Sequence, residues 1–261
     1  MHRITILTAW LIGGVVCAGC GGNEASQKAI RQSDRFYEAA SIAWFEEKDV
    51  LAAIRNLTRA VETNPKNDDA HYLLGIIRLG RLEYDAAEKH LREAMALRKE
   101  GDPAGLAGVE NNLGVVLLHQ KRYEEAIELL KKSSGEVMNR EPWLAFGNLG
   151  WAYIEIGEYD KALDALKRAM FDQPKYCVGL YRMGQAYYLK GDYPAAIKVL
   201  TQATEIPAEG CNQIQEAHHL RGMSFLRLEQ LDEARTALTR CTEINRESRV
   251  GMECQEALES L

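Results

Sequence analysis

The sequence predicts an all-α chain: six helical hairpins in an array, with a short helix closing the C-terminal end. Three observations predict it. Two columns of small residues recur in step, Ser41, Gly75, Gly114, Gly150, Gly184 and Gly222 in the first and Ala53, Ala87, Ala126, Ala162, Ala196 and Ala234 in the second. Successive spacings are 34, 39, 36, 34 and 38 in both columns, so every insertion falls outside the stretch joining one to the other. Leucine follows the second column by four residues without exception, at Leu57, Leu91, Leu130, Leu166, Leu200 and Leu238. Finally, only six prolines interrupt 261 residues rich in Ala, Leu, Glu and Lys, which favours helix.

Composition narrows the function classes. Hydrophobic residues make up 46%, too many for a disordered chain and enough for a core. With 32 basic and 38 acidic side chains the net charge is −6, which argues against a nucleic-acid binder. A mean hydropathy of −0.30 leaves no room for several membrane spans.

Residues 1–19 read as a secretory signal. Arg3 gives a minimal positive start, and an apolar run of about 13 residues from Ile4 to Val16 is too short for a permanent span but fits an h-region. Ala18-Gly19-Cys20 then reads as a lipoprotein processing site: small residues fit the peptidase pocket, and the Cys20 thiol becomes the lipid acceptor. The place three residues before that cysteine, usually Leu, holds Cys17. Gly21 stands where Asp would retain a lipoprotein in the inner membrane. The expected location is therefore the outer membrane, lipid-anchored on the periplasmic side. Residues 20–33 are expected to be the lipidated cysteine and a polar, glycine-containing tether. The alternative is an ordinary cleaved signal with two incidental cysteines.

Residues 34–246 carry the hairpins. Their columns are those of the tetratricopeptide pattern, a 34-residue unit of two antiparallel helices, which predicts a right-handed superhelical array. Small residues sit where the paired helices touch most closely. Three residues after the leucines come Ala60, Ala94, Ser133, Ala169, Ala203 and Cys241. Three before the second column, Val50, Tyr84, Tyr123, Tyr159, Tyr193 and Leu231 pack at the turn. Pro65 and Pro174 close repeats one and four, and Pro194 sits in a first helical turn, where its missing N–H costs nothing. Repeat six is the loosest, with Arg221 where Leu or Met is usual. Residues 247–261 form a last helix covering the exposed face of the sixth hairpin.

Nothing in this pattern points to an enzyme, a cofactor or a metal. There is no Gly-rich phosphate loop, no Gly-x-Ser-x-Gly elbow and no His-Glu-x-x-His. His218 and His219 point about 100° apart on a helix, so they read as two partly exposed side chains and not as a ligand pair. The carboxylates lie on outer faces with Lys and Arg three or four residues away, as in Glu124-Glu125 with Lys121 and Glu128 with Lys131-Lys132. Cys177, Cys211, Cys241 and Cys254 are spaced by 34, 30 and 13, without a Cys-x-x-Cys pair, so zinc is not expected. In an oxidising periplasm disulfides are the natural reading, the alternative being four free thiols. Neighbouring first helices pack about 8–10 Å apart, which suits Cys177–Cys211. Cys241 is late in repeat six and Cys254 is in the capping helix, which suits Cys241–Cys254.

First helices line the concave side of such arrays. With the small column at position 8, positions 2, 5, 9 and 12 lie opposite the packed stripe, and 6 and 13 adjoin them. These positions hold Ile42 and Phe45; Tyr72, Leu73, Ile76 and Leu79; Val115 and Leu118; Trp151 and Ile154; then Tyr181, Tyr188, Leu189, Met223 and Leu226. About half are expected to pack on neighbouring repeats. The others form an apolar trough suited to an amphipathic helix or apolar segment of a partner, with Asn111, Asn112 and Asn148 available to its backbone. Glu38 and Ile42 stand where the carboxylate clamp of chaperone-binding tetratricopeptide domains has Lys and Asn.

The lipobox followed by six such repeats resembles the type IV pilus pilotins, lipoproteins of the Tgl and PilW kind. The stretches carrying the resemblance are Asn111-Asn112-Leu113-Gly114, then Gln120-Lys121-Arg122-Tyr123-Glu124-Glu125-Ala126, a longer link with Arg140, and Phe146-Gly147-Asn148-Leu149-Gly150. The resemblance implies that the protein binds secretin subunits of the pilus machinery and promotes their localisation and assembly in the outer membrane, Cys20 supplying the address and the groove the grip. The alternative is a lipoprotein scaffold for periplasmic envelope enzymes such as peptidoglycan hydrolases.

Overall fold

The computed structural model describes residues 20–98 and 101–261. The expected signal peptide, residues 1–19, lies outside them, and so does the side chain of Cys20. Among the described residues the regular structure is helical, with no strand. The first of two compact units ends at Ala70 and holds α1 (Cys20–Phe45) and α2 (Val50–Thr63). The second begins at His71 and takes in most of α3 (Asp68–Gly80), then α4 (Tyr84–Arg98), α5 (Pro103–His119), α6 (Tyr123–Gly135), α7 (Pro142–Glu155) and α8 (Tyr159–Asp172). It continues with α9 (Cys177–Lys190), α10 (Tyr193–Glu205), α11 (Gln215–Arg227), α12 (Leu231–Ile244) and α13 (Arg249–Glu259).

In the first unit, residues 20–33 belong to α1, which corrects the expected tether. The physical reason lies in Ser33. It is fully buried, its hydroxyl donates to the Ala60 carbonyl at 2.8 Å, and it accepts from Asn67 Nδ2 at 2.9 Å. Asn67 Oδ1 in turn accepts from the Ala70 N–H. A buried hydroxyl so engaged holds the helix against α2 well before the first repeat position.

Every second helix of a hairpin starts on one column: Val50, Tyr84, Tyr123, Tyr159, Tyr193 and Leu231 are the first residues of α2, α4, α6, α8, α10 and α12. Two residues earlier the backbone is left-handed each time, at Lys48, Leu82, Lys121, Gly157, Gly191 and Glu229, with φ of 57, 61, 61, 78, 84 and 59°. That single left-handed step reverses the chain into the second helix. Asp49 and Asp192 add side-chain caps, accepting from the Ala52 and Ala195 N–H groups.

The small first column is a contact with the leucine column. A Cβ added at Gly75 would stand 2.7 Å from Leu91 Cγ, and one at Gly114 would stand 2.7 Å from Leu130 Cγ. Gly150, Gly184 and Gly222 meet Leu166, Leu200 and Leu238 at least as closely. All six leucines are fully buried, as are all six alanines of the second column.

At the C-terminal end Gln215 Nε2 donates to the carbonyls of Cys241 and Asn245, both at 2.7 Å, and its Oε1 accepts from Ser248 Oγ. Ser248 Oγ also accepts from the Gly251 N–H, capping α13, so one polar chain ties α11, α12 and α13. Val250 and Cys254 of α13 close a small core with Leu238 and Cys241. Cys177 is bonded to Cys211, with Cα atoms 5.7 Å apart, and Cys241 to Cys254, at 6.3 Å.

Candidate partner-binding face

In the first unit Ile42 and Phe45, at the end of α1, are 47% and 60% exposed. In the second unit the first helices α3, α5, α7 and α9 build the face. Tyr72, Ile76, Leu79, Val115 and Trp151 are partly buried there, each keeping an exposed edge. Leu73, Leu118 and Ile154 do not line a trough: they are only 5%, 2% and 5% exposed. Leu118 and Ile154 belong to the continuous core that runs from Ala87 to Ala186. Angular arithmetic on one helix places them opposite the hairpin stripe, but the neighbouring repeat covers that direction, so their apolar area is already removed from water.

The asparagines are placed on the face and are partly engaged with one another. Asn112 Nδ2 donates to Tyr72 Oη at 2.9 Å and to the Gly108 carbonyl at 3.0 Å. Asn148 Nδ2 donates to Asn111 Oδ1 at 3.0 Å, linking α7 to α5. Gly108 leaves room for this arrangement, since a Cβ there would meet Tyr72 Oη at 3.0 Å. The Arg98 guanidinium lies over the Tyr72 ring at 4.6 Å; burial raises the Tyr72 hydroxyl pKa, and the Arg98 charge opposes that rise.

The middle of the face is not a bare apolar trough. Tyr84 stacks on His119 with centroids 4.8 Å apart, His119 meets the edge of Trp151 at 5.1 Å, and Arg182 lies over Trp151 at 4.2 Å. The ladder thus draws one ring or cation from each of α4, α5, α7 and α9. Burial lowers the His119 pKa and the Arg182 charge adds to the effect. Beside it the Tyr176 ring fills space left by two glycines: a Cβ at Gly147 or at Gly179 would stand 2.6 Å from that ring. His119, Tyr176 and Arg182 were not singled out from the sequence. The available signals were Arg182 at position 6, where repeats two to four have Leu, Asn and Asn, and glycines at Gly147 and Gly179 that the repeat pattern does not require.

Other sites resolve as structural. His218 is buried, at 4% exposure, with Nε2 3.2 Å from the Asn212 carbonyl, which corrects the expectation of two partly exposed histidines. Glu125 pairs with Arg122 at 2.7 Å and with Arg92 at 3.5 Å. Among the described residues no three His, Cys, Asp or Glu side chains are placed to hold a metal, and no helix is long and apolar enough to cross a membrane.

Tetratricopeptide-repeat family profiles match residues 45–110, 105–170, 148–210 and 215–248. With the hairpin columns and the helix order, this makes the chain a tetratricopeptide-repeat protein. Over 167 residues it is 25% identical to the type IV pilus assembly protein PilF of Pseudomonas aeruginosa, a match covering 64% of each protein. It is 22% identical over 221 residues to a BBSome complex member BBS4 homolog of Drosophila melanogaster, covering 84% of this chain and 43% of that one. The chain thus spans less than two thirds of the length of either curated relative. Among solved structures, P. aeruginosa PilF has a TM-score of 0.66 at 21% identity, with 91% of this chain and 99% of that chain covered. PilW, a widely conserved type IV pilus biogenesis factor, has a TM-score of 0.68 at 17% identity, covering 89% and 99%. At those identities the likeness is one of fold.

Proposed function

We propose that this protein is an outer-membrane pilotin: anchored through lipid on Cys20, it binds secretin subunits of a type IV pilus machine with its first-helix face and promotes their localisation and assembly. The observation that carries the reading is the 25% identity over 167 residues to a type IV pilus assembly protein. The geometry supports it. Partly exposed aromatic and apolar side chains at Tyr72, Ile76, Val115 and Trp151, with amides at Asn111, Asn112 and Asn148, suit a segment that brings both apolar groups and backbone. A lipid at Cys20 would hold that face near the membrane where secretin subunits assemble.

The test is a deletion strain complemented with wild-type protein or with Cys20→Ala. The expected result is loss of heat-stable secretin multimers and of pili on deletion, rescued by the wild type only. Palmitate labelling and outer-membrane sedimentation should both be lost in Cys20→Ala. Normal secretin multimers in the deletion strain would overturn the reading. Altered cell shape with intact pili would point instead to a scaffold for peptidoglycan hydrolases.

A further inference from the structure

Arg182 makes no hydrogen bond and no ion pair among the described residues, although it is among the more buried cations of the chain. Its Nε is sealed from solvent without an acceptor, while the two Nη groups, equally unbonded, are not sealed. Burial lowers its pKa, and the partial compensation comes from Tyr176, Tyr181 and Glu155 at a distance. The carboxylate that acts on it, Glu155, is committed elsewhere: its Oε1 accepts from Trp151 Nε1 at 2.9 Å and its Oε2 from the Tyr123 hydroxyl at 3.3 Å. The guanidinium carbon lies over the Trp151 ring, 4.2 Å from its centroid. A cation held this way is backed by a ring and keeps its two Nη groups free to donate.

Leaving a charge half-desolvated and unpaired is costly, and a π face offsets only part of that cost. The other buried or half-buried arginines of the second unit have acceptors for an Nη group: Arg78 pairs with Glu83, Arg122 with Glu88 and Arg240 with Glu243, Arg98 donates to the Gly105 carbonyl, and Arg221 reaches Thr204 and His218, although the Nε of Arg78 and of Arg221 is as sealed as that of Arg182. Arg182 alone of these lacks one. A guanidinium edge presents parallel N–H donors that match the two oxygens of a carboxylate.

We propose that Arg182, backed by Trp151 and flanked by Tyr176 and Tyr181, is the anchor for a carboxylate of the bound protein segment. The segment the face accepts is then amphipathic with one fixed acidic group, and not merely apolar. Apolar side chains pack along Val115 and Ile76, and the acidic group seats on Arg182 with the aromatic rings excluding water around it. This rests on the reading that the face binds a protein segment, but not on that segment belonging to a secretin.

The experiment is a selection of random twelve-residue peptides on the purified chain and on Arg182→Gln, from two libraries: one with a free C-terminal carboxylate, one amidated. Wild type should enrich peptides with Asp or Glu at one fixed position, or in the free-carboxylate library a fixed C-terminal register, and Arg182→Gln should not. For an enriched peptide, replacing its acidic group by the amide should weaken binding to wild type about tenfold to a hundredfold, the range for a charge-assisted bidentate contact. The same replacement should leave binding to Arg182→Gln unchanged, a non-additivity that a purely structural role for Arg182 would not produce. Arg182→Lys should recover part of the affinity, and Glu155→Gln should not weaken it. Selection of peptides without a fixed acidic position, failure to select any, or equal sensitivity of both proteins to the acid-to-amide change would overturn the proposal. If peptides behave as expected while secretin assembly is normal in the deletion strain, the anchor stands and the pilotin reading falls.

Discussion

Gly150 of α7 lies so close to Leu166 of α8 that a Cβ on the glycine would stand 2.5 Å from Leu166 Cγ. Two helices with no side chain between them at this point approach closely, and the leucine fills the notch. Gly150→Ala should therefore destabilise the fold by about 1–3 kcal/mol through overpacking. Leu166→Ala should cost about 2–5 kcal/mol by leaving a cavity. The double variant should cost less than the sum of the two single variants, because the alanine methyl has room once the leucine is shortened. Urea unfolding of the three variants measures this directly.

The left-handed turn residues give a change of opposite sign. Leu82 and Lys121 hold φ of 61° each, a conformation that costs a non-glycine residue roughly 1–2 kcal/mol. Leu82 is 66% exposed, so removing its side chain loses little burial. Leu82→Gly and Lys121→Gly should each stabilise by about 0.5–1 kcal/mol after the extra freedom of glycine in the unfolded chain is subtracted. Gly191→Ala, with φ of 84°, should destabilise. Thermal unfolding that ranks the variants otherwise would remove the turn argument.

The two disulfides close loops of unequal length, with sequence separations of 34 and 13. By chain entropy alone the Cys177–Cys211 bond stabilises by about 4 kcal/mol and Cys241–Cys254 by about 3 kcal/mol. Replacing each pair by alanine, and comparing denaturant midpoints, should show the larger loss for the first pair. Hydrogen exchange should place both losses in α9 to α13.

His90 gives a pH dependence. Burial, then the neighbouring His71, Lys89 and Arg78 charges, pull its pKa from 6.5 down to about 4, and its Nδ1 lies 3.1 Å from His71 Nδ1. A folded-state pKa below the unfolded one means the unfolded chain takes up the proton first. The contribution is complete above about pH 6.5 and is lost as the pH falls toward 4. Solvent screening at a partly exposed ring limits it to about 1–2 kcal/mol. Wild type should lose that much more stability than His90→Gln between pH 7 and pH 4.5, read from urea midpoints.

Trp151 separates two roles. It packs against the core at one edge and carries His119 and Arg182 on its ring and edge. Trp151→Ala should lower the unfolding free energy by about 1–2 kcal/mol, since the side chain is only partly buried, and should weaken peptide binding more than the stability loss accounts for. Binding that merely follows the folded fraction would mark Trp151 as core.

The hairpins were legible in the sequence because each depends on contacts a fixed number of residues apart: Gly75 with Leu91, Gly150 with Leu166, a turn two residues before Tyr84 or Tyr159. Such contacts lie within about twenty residues and repeat, so spacing alone exposes them. The binding face was legible only in outline. Ile42, Phe45 and Trp151 keep exposed edges, whereas Leu73, Leu118 and Ile154 are covered, because a helical period says which side of a helix faces away from its partner and not what the next repeat lays over it. The early start of α1 is hidden from the sequence for a related reason: Ser33 is held by Ala60 and Asn67, partners 27 and 34 residues away.

What the sequence determined by itself was therefore the class of fold, the order of its hairpins and the helix that closes them, since local packing of small residues against leucine leaves no other arrangement at that spacing. The tertiary structure decided the character of the binding face. Tyr84, His119, Trp151 and Arg182 come from four helices spread over about a hundred residues, and only when those helices stack do their side chains share one ladder. Whether Arg182 finds a carboxylate inside the chain depends on where Glu155 is held, and Glu155 is held by Trp151 and Tyr123.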